Sequence, residues 1–364
     1  MSPTSQISSE FWENRRVLVT GHTGFKGAWL SLWLQQLGAE VSGLSLEPNT
    51  QPSLYKDACV ESDMRSFIGD IRDVDVVRRT FDEVQPEIVL HLAAQPLVRL
   101  SYTDPLTTYS TNVMGTVHVL EVARHTPSVR AIVNVTSDKC YENQEWQWAY
   151  RETDRLGGYD PYSNSKACAE LVTSAYRQSF LSDPNAPGLA SARAGNVIGG
   201  GDWADDRLIP DLVRNALTDT TTQIRNPAAV RPWQHVLNPL SGYLVLAQQL
   251  TNDRNFADAW NFGPADEDVR TVREIADALH KEWTSVVWER ESETIENPHE
   301  AGLLRVDSSR ARSQLQWKPV WGLDECVVRT ASWYRAFANK EDVRKITLEQ
   351  LQDFSHDLSR NASR

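Results

Sequence analysis

The spacing Gly21-His22-Thr23-Gly24-Phe25-Lys26-Gly27 separates an apolar run from an apolar-periodic segment. Arg16-Val17-Leu18-Val19-Thr20, before it, reads as a buried parallel strand. Ala28 to Leu37, after it, repeats its apolar residues at helical spacing, and Gly38 supplies the stop. Val41 to Leu46 then reads as a second strand, which completes a βαβ unit. Glycines at such a junction allow a tight turn, let backbone approach a phosphate, and let helix pack on sheet. The helix start offers unpaired amides and the positive end of a dipole, which suits the pyrophosphate of a dinucleotide. The spacing is GxxGxxG rather than GxGxxG, so the strand–turn–helix setting carries the inference.

Strands and helices continue to alternate. Ser66 to Ile68, Glu87 to Leu92, Ala131 to Val135 and Gly188 to Ala194 read as strands, and Val74 to Val84, Tyr109 to Arg124 and Tyr162 to Gln178 as helices. That succession implies an α/β fold, a doubly wound parallel Rossmann-type sheet. After Asn196 the pattern changes. Pro210 to Thr218, Leu240 to Leu250, Val272 to Trp283 and Leu323 to Phe337 read as helices, with a short strand at Trp260-Asn261-Phe262. A smaller mixed C-terminal substrate domain is expected. We assign 15–196 with 231–263 to the cofactor domain, 197–230 with 264–338 to the substrate domain, and 339–364 to a helical tail. Val343, Ile346, Leu348, Leu351, Phe354 and Leu358 form one stripe on that tail, as a packing or oligomer helix would.

A net charge of −12 on 364 residues argues against nucleic acid or an anionic membrane as partner. Cys59, Cys140, Cys168 and Cys326 lack CxxC spacing, so neither a metal site nor a disulfide framework is expected, and a reducing cytoplasm fits. Met1 to Glu10 is polar, unlike a signal peptide, and no apolar run approaches membrane-spanning length. Thirteen tryptophans are expected chiefly in core or interface packing; Trp203 and Trp233 are read as core or as walls of a base pocket.

Two further stretches carry chemistry. Tyr162 and Lys166 stand four apart on one helical face, where an ammonium would stabilise a phenolate and lower its pKa, giving a general base. Ser137-Asp138-Lys139, at the end of the Ala131 to Val135 run, sets a hydroxyl, a carboxylate and an amine side by side. A hydride-transfer base together with a second acid/base pair suits a reaction with more than one proton transfer. Leu44-Ser45-Leu46-Glu47 has no basic residue after it, which favours NAD over NADP. Lys26 either meets a phosphate or faces solvent. Asn112, inside a long helix, is read as a structural or water-holding residue near the Tyr–Lys pair.

TGHTGFKG, GDIRD (Gly69 to Asp73), HLAAQ (His91 to Gln95) and YSNSK together resemble the extended short-chain dehydrogenase/reductases. Within them the sugar-nucleotide 4,6-dehydratases carry Thr-Asp-Glu where this chain has Ser137-Asp138-Lys139. Lysine in the third place, with Ile224 to Pro227 and Arg231-Pro232-Trp233-Gln234-His235-Val236, is similar to the CDP-glucose 4,6-dehydratases. The likeness runs from about Arg15 to Pro319.

The resemblance implies NAD as cofactor, against Gly21, Thr23, Gly24, Phe25, Gly27, Asp70, Ile71, Leu92, Ala93, Ala94, Tyr162 and Lys166. It implies CDP-glucose as substrate, against Asn196, Arg207, Arg231 and His299. It implies that Tyr162, assisted by Lys166 and Ser137, takes the proton of the sugar 4-hydroxyl as hydride leaves carbon 4. Lys139 would then deprotonate carbon 5, Asp138 would protonate the departing 6-hydroxyl, and hydride would return to carbon 6. Lys139 must be neutral and Asp138 protonated for this, and an ion pair between them would oppose both. A homodimer or homotetramer is usual for the family. Another 4,6-dehydratase or a 4-epimerase on the same scaffold, and a non-catalytic NAD(H)-sensing module, stay open at this point.

Overall fold

The computed structural model describes residues 6–291 and 302–362. Seven parallel strands form one sheet: β1 (Arg16–Thr20), β2 (Glu40–Ser45), β3 (Arg65–Ile68), β4 (Ile88–His91), β5 (Ala131–Val135), β6 (Gly188–Ala194) and β7 (Ala259–Phe262). Their order is β7-β6-β5-β4-β1-β2-β3. Every residue of β5 and β6 is buried, as in strands covered by helices on both faces, whereas β3 is an exposed edge. The order reverses between β1 and β4, so a crevice opens beyond the carboxyl ends of those strands, where ligands of such sheets bind.

Nine longer helices accompany the sheet among the described residues: α1 (Phe25–Gln36), α2 (Val74–Val84), α3 (Thr116–Arg124), α4 (Pro161–Ser179), α5 (Leu208–Leu217), α6 (Leu237–Asn252), α7 (Val272–Glu282), α8 (Leu323–Ala338) and α9 (Val343–Ala362). None of the described helices is long and apolar enough to cross a membrane. The first is buried continuously from Gly27 to Leu34, so it lies inside the protein rather than on its surface. Asp160 caps α4 by accepting from the Ser163 amide at 2.9 Å, with Pro161 at the first helical position.

The helix expected over Tyr109 to Arg124 is interrupted. Pro105–Tyr109 is α-helical, Ser110–Gly115 is a π-helical turn, and α3 follows. The side chain of Asn112 turns inward, accepting from the Gln95 amide at 2.8 Å and donating to Gln95 O and Ser165 Oγ. Gly115 lies so close to Ile71 that a Cβ would stand 2.5 Å from its Cδ1. Those tertiary contacts widen the turn at a place where periodicity alone shows nothing.

Beyond β6 the chain makes three small pairs absent from the sequence reading. Val197–Ile198 joins Gln234–His235, Val230–Pro232 joins Val269–Thr271, and Thr222–Ile224 joins Trp288–Arg290. Strands of two or three residues are too short to show alternation. Between the members of two of these pairs the chain re-enters the main sheet as β7.

Tryptophans tie the C-terminal half to the sheet. Trp29 Nε1 donates to Gly200 O, Trp317 Nε1 to Ser241 Oγ, and Trp333 Nε1 to Thr347 Oγ1, each at 2.8–2.9 Å. Trp203 and Trp233 are buried; Trp203 packs edge-on to Tyr334, and Trp233 lies at the wall of the cavity described below. The tail helix packs within the chain: Phe354 stands edge-on to Trp33 and Trp321, with ring centroids 5.5 and 5.0 Å away.

The glycine turn is the tightest point. Gly21 has φ +79°, and a Cβ on it would lie 2.7 Å from the Ala93 amide nitrogen. At Gly27 a Cβ would lie 2.1 Å from Gly21 O, so backbone must shift to admit one. Gly27→Ala is therefore expected to cost about 1–3 kcal/mol and to lower the melting temperature by several degrees in calorimetry. An unchanged melt would show that the turn yields freely.

Candidate active site

A cavity of about 870 Å³ opens beyond the carboxyl ends of β5 and β6. Ser137, Asp138, Lys139, Tyr162, Asn196, Arg207 and Arg231 all line it, together with Lys26. The structure thus gathers residues more than two hundred positions apart in the chain. Lys166, one turn beyond Tyr162 on α4, is buried. His299 lies outside the described residues.

Ser137 begins a short 3₁₀ turn, Asp138–Cys140, as β5 leaves the sheet. Its hydroxyl accepts from the Lys139 amide at 3.2 Å and donates to Asp138 Oδ1 at 3.1 Å. This turn sends its two charged residues to different surroundings. Asp138 is 2% exposed, and its Oδ2 has no hydrogen-bond partner among the described residues. Lys139 is half-buried, with its ammonium 6.0 Å from the centre of the Tyr162 ring.

Burial governs protonation here. It raises the Asp138 carboxyl, against Lys139, Ser137, Arg231 and Lys26, which pull it down. The expected lowering of Tyr162 is corrected: desolvation pushes its phenol up to about 12, although hydrogen bonding with Ser137 and the charge of Arg207 act the other way. Desolvation also brings the Lys166 amine down to about 8, opposed by the charge of Glu170. Loss of water around both groups therefore outweighs the neighbours that favour their charged forms.

Lys26 does not face solvent. Its amine, lowered to about 8 by burial and then by Arg207 and Lys166, feels Asp138 and Asp202 in the opposite sense. Arg207 is held by Asp202 at 2.9 Å. Arg231 is buried and donates to Val230 O at 2.9 Å. Arg225, on the same wall, stands 3.5 Å from Asp206. Asn196 fixes the adjoining strand pair by accepting from the Gln234 amide at 3.0 Å. The wall therefore carries several cations, most of them already anchored by protein groups, as a diphosphate-bearing ligand requires.

The dinucleotide cradle fits its expected use. Gly21 and Gly27 leave no room for a Cβ, whereas Gly24 is exposed and a Cβ there would meet only Gly21 O at 3.4 Å. No side chain caps α1 at Gly24. Backbone amides at the start of a buried helix thus face open space, as an anion needs. Thr23 Oγ1 ties this turn to β2 by donating to Leu46 O at 2.9 Å and meeting Ser45 Oγ at 2.8 Å. Phe25 is half-buried in the first turn of α1. Leu92, Ala93 and Ala94 follow β4, while Asp70 and Ile71 follow β3, so these segments border the same crevice. Asp70 is occupied by Arg72, 2.6 Å away, and Ile71 is 4% exposed. Glu47 lies exposed beyond β2.

Sequence reasoning missed Glu170 and Arg193, which are buried behind the site at 2.7 Å. Glu170 stands four residues after Lys166, so its place on the same helical face was a usable signal. Nothing local marks Arg193 as its partner. Among the described residues no cluster of His, Cys, Asp or Glu is arranged for a metal ion.

The lowered Lys166 amine has a thermodynamic consequence. Its pKa falls from 10.5 to about 8, so at neutral pH the folded state bears the cost of a buried charge. Between those values the unfolded chain binds more protons, and stability rises with pH. Lys166→Met is expected to stabilise the fold at pH 7 by up to roughly 3 kcal/mol. The gain should shrink as pH rises from about 8 and be gone near 10.5, by thermal melts across that range. A lower melt at pH 7 would contradict it.

The family model for GDP-mannose 4,6 dehydratase matches residues 18–330. A CDP-glucose 4,6-dehydratase of Salmonella typhimurium is 53% identical over 96% of this chain and 98% of its own length. A dTDP-glucose 4,6-dehydratase of the same organism is 25% identical over 88% of this chain and 93% of its own. Among solved structures, a dTDP-glucose 4,6-dehydratase of Bacillus anthracis in complex with NAD superposes with a TM-score of 0.73 at 20% identity. It covers 88% of this chain and 96% of that one. A Thermus thermophilus UDP-glucose 4-epimerase complexed with NAD gives 0.75 at 24% identity, covering 88% and 98%.

Proposed function

Since the chain belongs to the GDP-mannose 4,6 dehydratase family, we infer that it is a hydro-lyase using NAD to convert CDP-D-glucose to CDP-4-keto-6-deoxy-D-glucose. The observation that carries this reading is Asp138 and Lys139 on the wall that also holds Ser137 and Tyr162, with full-length 53% identity to a CDP-glucose 4,6-dehydratase beside it. A 4-epimerase or a simple dehydrogenase has no use for the second pair, and a sensing module has no use for either.

NAD held at Gly21, Thr23, Gly24, Phe25 and Gly27, with Asp70, Ile71 and Leu92 to Ala94 along the crevice, supplies an acceptor for hydride from carbon 4 and a donor to carbon 6. Tyr162 takes the proton of the 4-hydroxyl, helped by the Ser137 hydroxyl and the positive charge of Lys166. The 4-ketone acidifies carbon 5. Lys139 takes the carbon 5 proton, and the electron pair left there expels the 6-hydroxyl, which Asp138 protonates so that it leaves as water. Burial raises the Asp138 carboxyl, in the direction of the protonated form this step requires. Asn196, Arg207, Arg231 and His299 are assigned to the substrate, the arginines to its diphosphate. We assign 15–196 with 231–263 to the cofactor domain, and 197–230 with 264–338 to the substrate domain.

We place the enzyme in the cytoplasm, as its four dispersed cysteines suggest. We propose a homodimer through the two helical stretches around 105–124 and α4. Leu106, Leu171 and Met114 on them are 82%, 58% and 47% exposed, an apolar surface that a partner helix pair would cover. A tetramer would be a pair of such dimers.

Mass spectrometry of CDP-glucose, dTDP-glucose, UDP-glucose and GDP-mannose, each incubated with protein and NAD, is expected to show loss of one water from CDP-glucose alone. Loss from another sugar nucleotide would keep the reaction and change the base; no loss would remove the dehydratase. Lys139→Ala is expected to lower turnover by ~10²–10⁴-fold while the absorbance of reduced nicotinamide still accumulates with substrate. Full turnover in that variant would remove Lys139 from the elimination step.

A further inference from the structure

We propose that Glu170 is a positioning residue of this site: its buried carboxylate holds the β5 end at Thr136 and presents a negative charge one helical turn from Lys166, so that the lysine stays charged where water cannot reach it. This rests on the dehydratase reading above.

Both oxygens of Glu170 are committed. Thr136 Oγ1 donates to Oε1, while Ser191 Oγ and Arg193 Nη2 donate to Oε2 at 2.7 Å each. Thr136 directly precedes Ser137, and its amide donates to Ala192 O at 2.9 Å. One carboxylate therefore joins α4, the end of β5 and the middle of β6. Arg193 continues the chain of contacts: Nη1 donates to Tyr141 Oη at 2.8 Å and to Glu152 O at 3.0 Å, and Tyr141 Oη donates to Asn261 Oδ1 at 2.7 Å on β7. The Glu170 and Arg193 side chains are each 3% exposed.

A buried ion pair is weak evidence for stability, because desolvation offsets attraction. This one lies where stability alone would be served as well by apolar residues, and it faces a residue that needs a charge. Lys166 is surrounded by groups that do not supply one. His91 is neutral, its imidazole brought to about 3 by burial. Burial pushes the Cys140 thiol upward, so it too is neutral. Tyr162 is a neutral phenol, and Lys26 contributes a like charge. Arg193, beyond Glu170, is positive. Glu170 is the carboxylate that opposes desolvation of the Lys166 ammonium, and its own pKa is held below the ordinary value by Arg193 and the hydroxyls, against burial.

The test is the pH dependence of kcat/KM for CDP-glucose in parent and Glu170→Gln proteins. The amide keeps size and loses charge. Its alkaline limb, set by loss of the Lys166 proton, is expected ~1 pH unit lower. Glu170→Asp, which keeps the charge, should leave the limb where the parent has it. If the lone Arg193 prevents folding of Glu170→Gln, the double variant Glu170→Gln with Arg193→Gln leaves no unpaired charge and is expected to show the same displacement. Limbs that coincide with the parent in either folded variant would overturn the proposal, whatever happens to the melting temperature. A parent that does not turn over CDP-glucose would instead overturn the dehydratase reading.

Discussion

Withdrawal of water from the carboxyl ends of β5 and β6 is the constraint on which the site depends. Tyr162, Lys166 and Asp138 are each less than a tenth exposed, and in each the cost of holding charge out of water is the largest influence on its pKa. The same cost favours neutral Tyr162, neutral Lys166 and protonated Asp138. Only the last is the form its chemistry wants. Positive charge brought to the crevice by a nicotinamide ring, and hydrogen bonding by the sugar, would favour the phenolate. On the proposed roles, the base would thus be held in reserve until the reactants are present, a consequence of dielectric rather than of any moving part.

Such a site needs a rigid frame, because buried polar groups are useful only while their partners stay put. Two kinds of packing supply it. Parallel strands buried on both faces fix where β5 and β6 end. The tryptophans fix the C-terminal half against α1 and the sheet, and the ring nitrogens of Trp29, Trp233, Trp317 and Trp333 donate to backbone carbonyls or hydroxyls. The tail helix closes this layer: Phe354 lies between Trp33 and Trp321.

Local rules made the first part of this legible. A buried strand, a glycine turn and a continuous apolar helix specify the dinucleotide half, and β5 and β6 have the bounds that their apolar runs indicate. Tyr162 and Lys166 share a face because four residues make about one turn. What stayed hidden depends on distant partners. The π-turn at Ser110–Gly115 comes from Asn112 reaching Gln95 and Ser165. The paired short strands exist only because residues far apart in the chain meet. The direction of the Tyr162 shift was missed because spacing reveals a neighbouring ammonium and says nothing of how dry the neighbourhood is. His299 lies outside the described residues, so its placement on the substrate rests on resemblance.

The acid and base roles proposed for adjacent Asp138 and Lys139 pose a difficulty that the geometry of the turn at Asp138–Cys140 eases. In solution a neighbouring lysine and aspartate exchange a proton, leaving an ammonium that cannot accept and a carboxylate that cannot donate. Here the 3₁₀ turn sends Asp138 inward, 2% exposed, and leaves Lys139 on the cavity wall above the Tyr162 ring. Among the described residues Oδ1 of the carboxyl accepts from the Ser137 hydroxyl, while Oδ2 has no hydrogen-bond partner. An ionised carboxylate left so poorly solvated is costly. Difference in burial, over a single peptide step, thus opposes the charge pairing that sequence adjacency suggests. A sugar seated against the wall would lie between an amine open to the cavity and a carboxyl shut away from water, the order that removal of one proton and delivery of another requires.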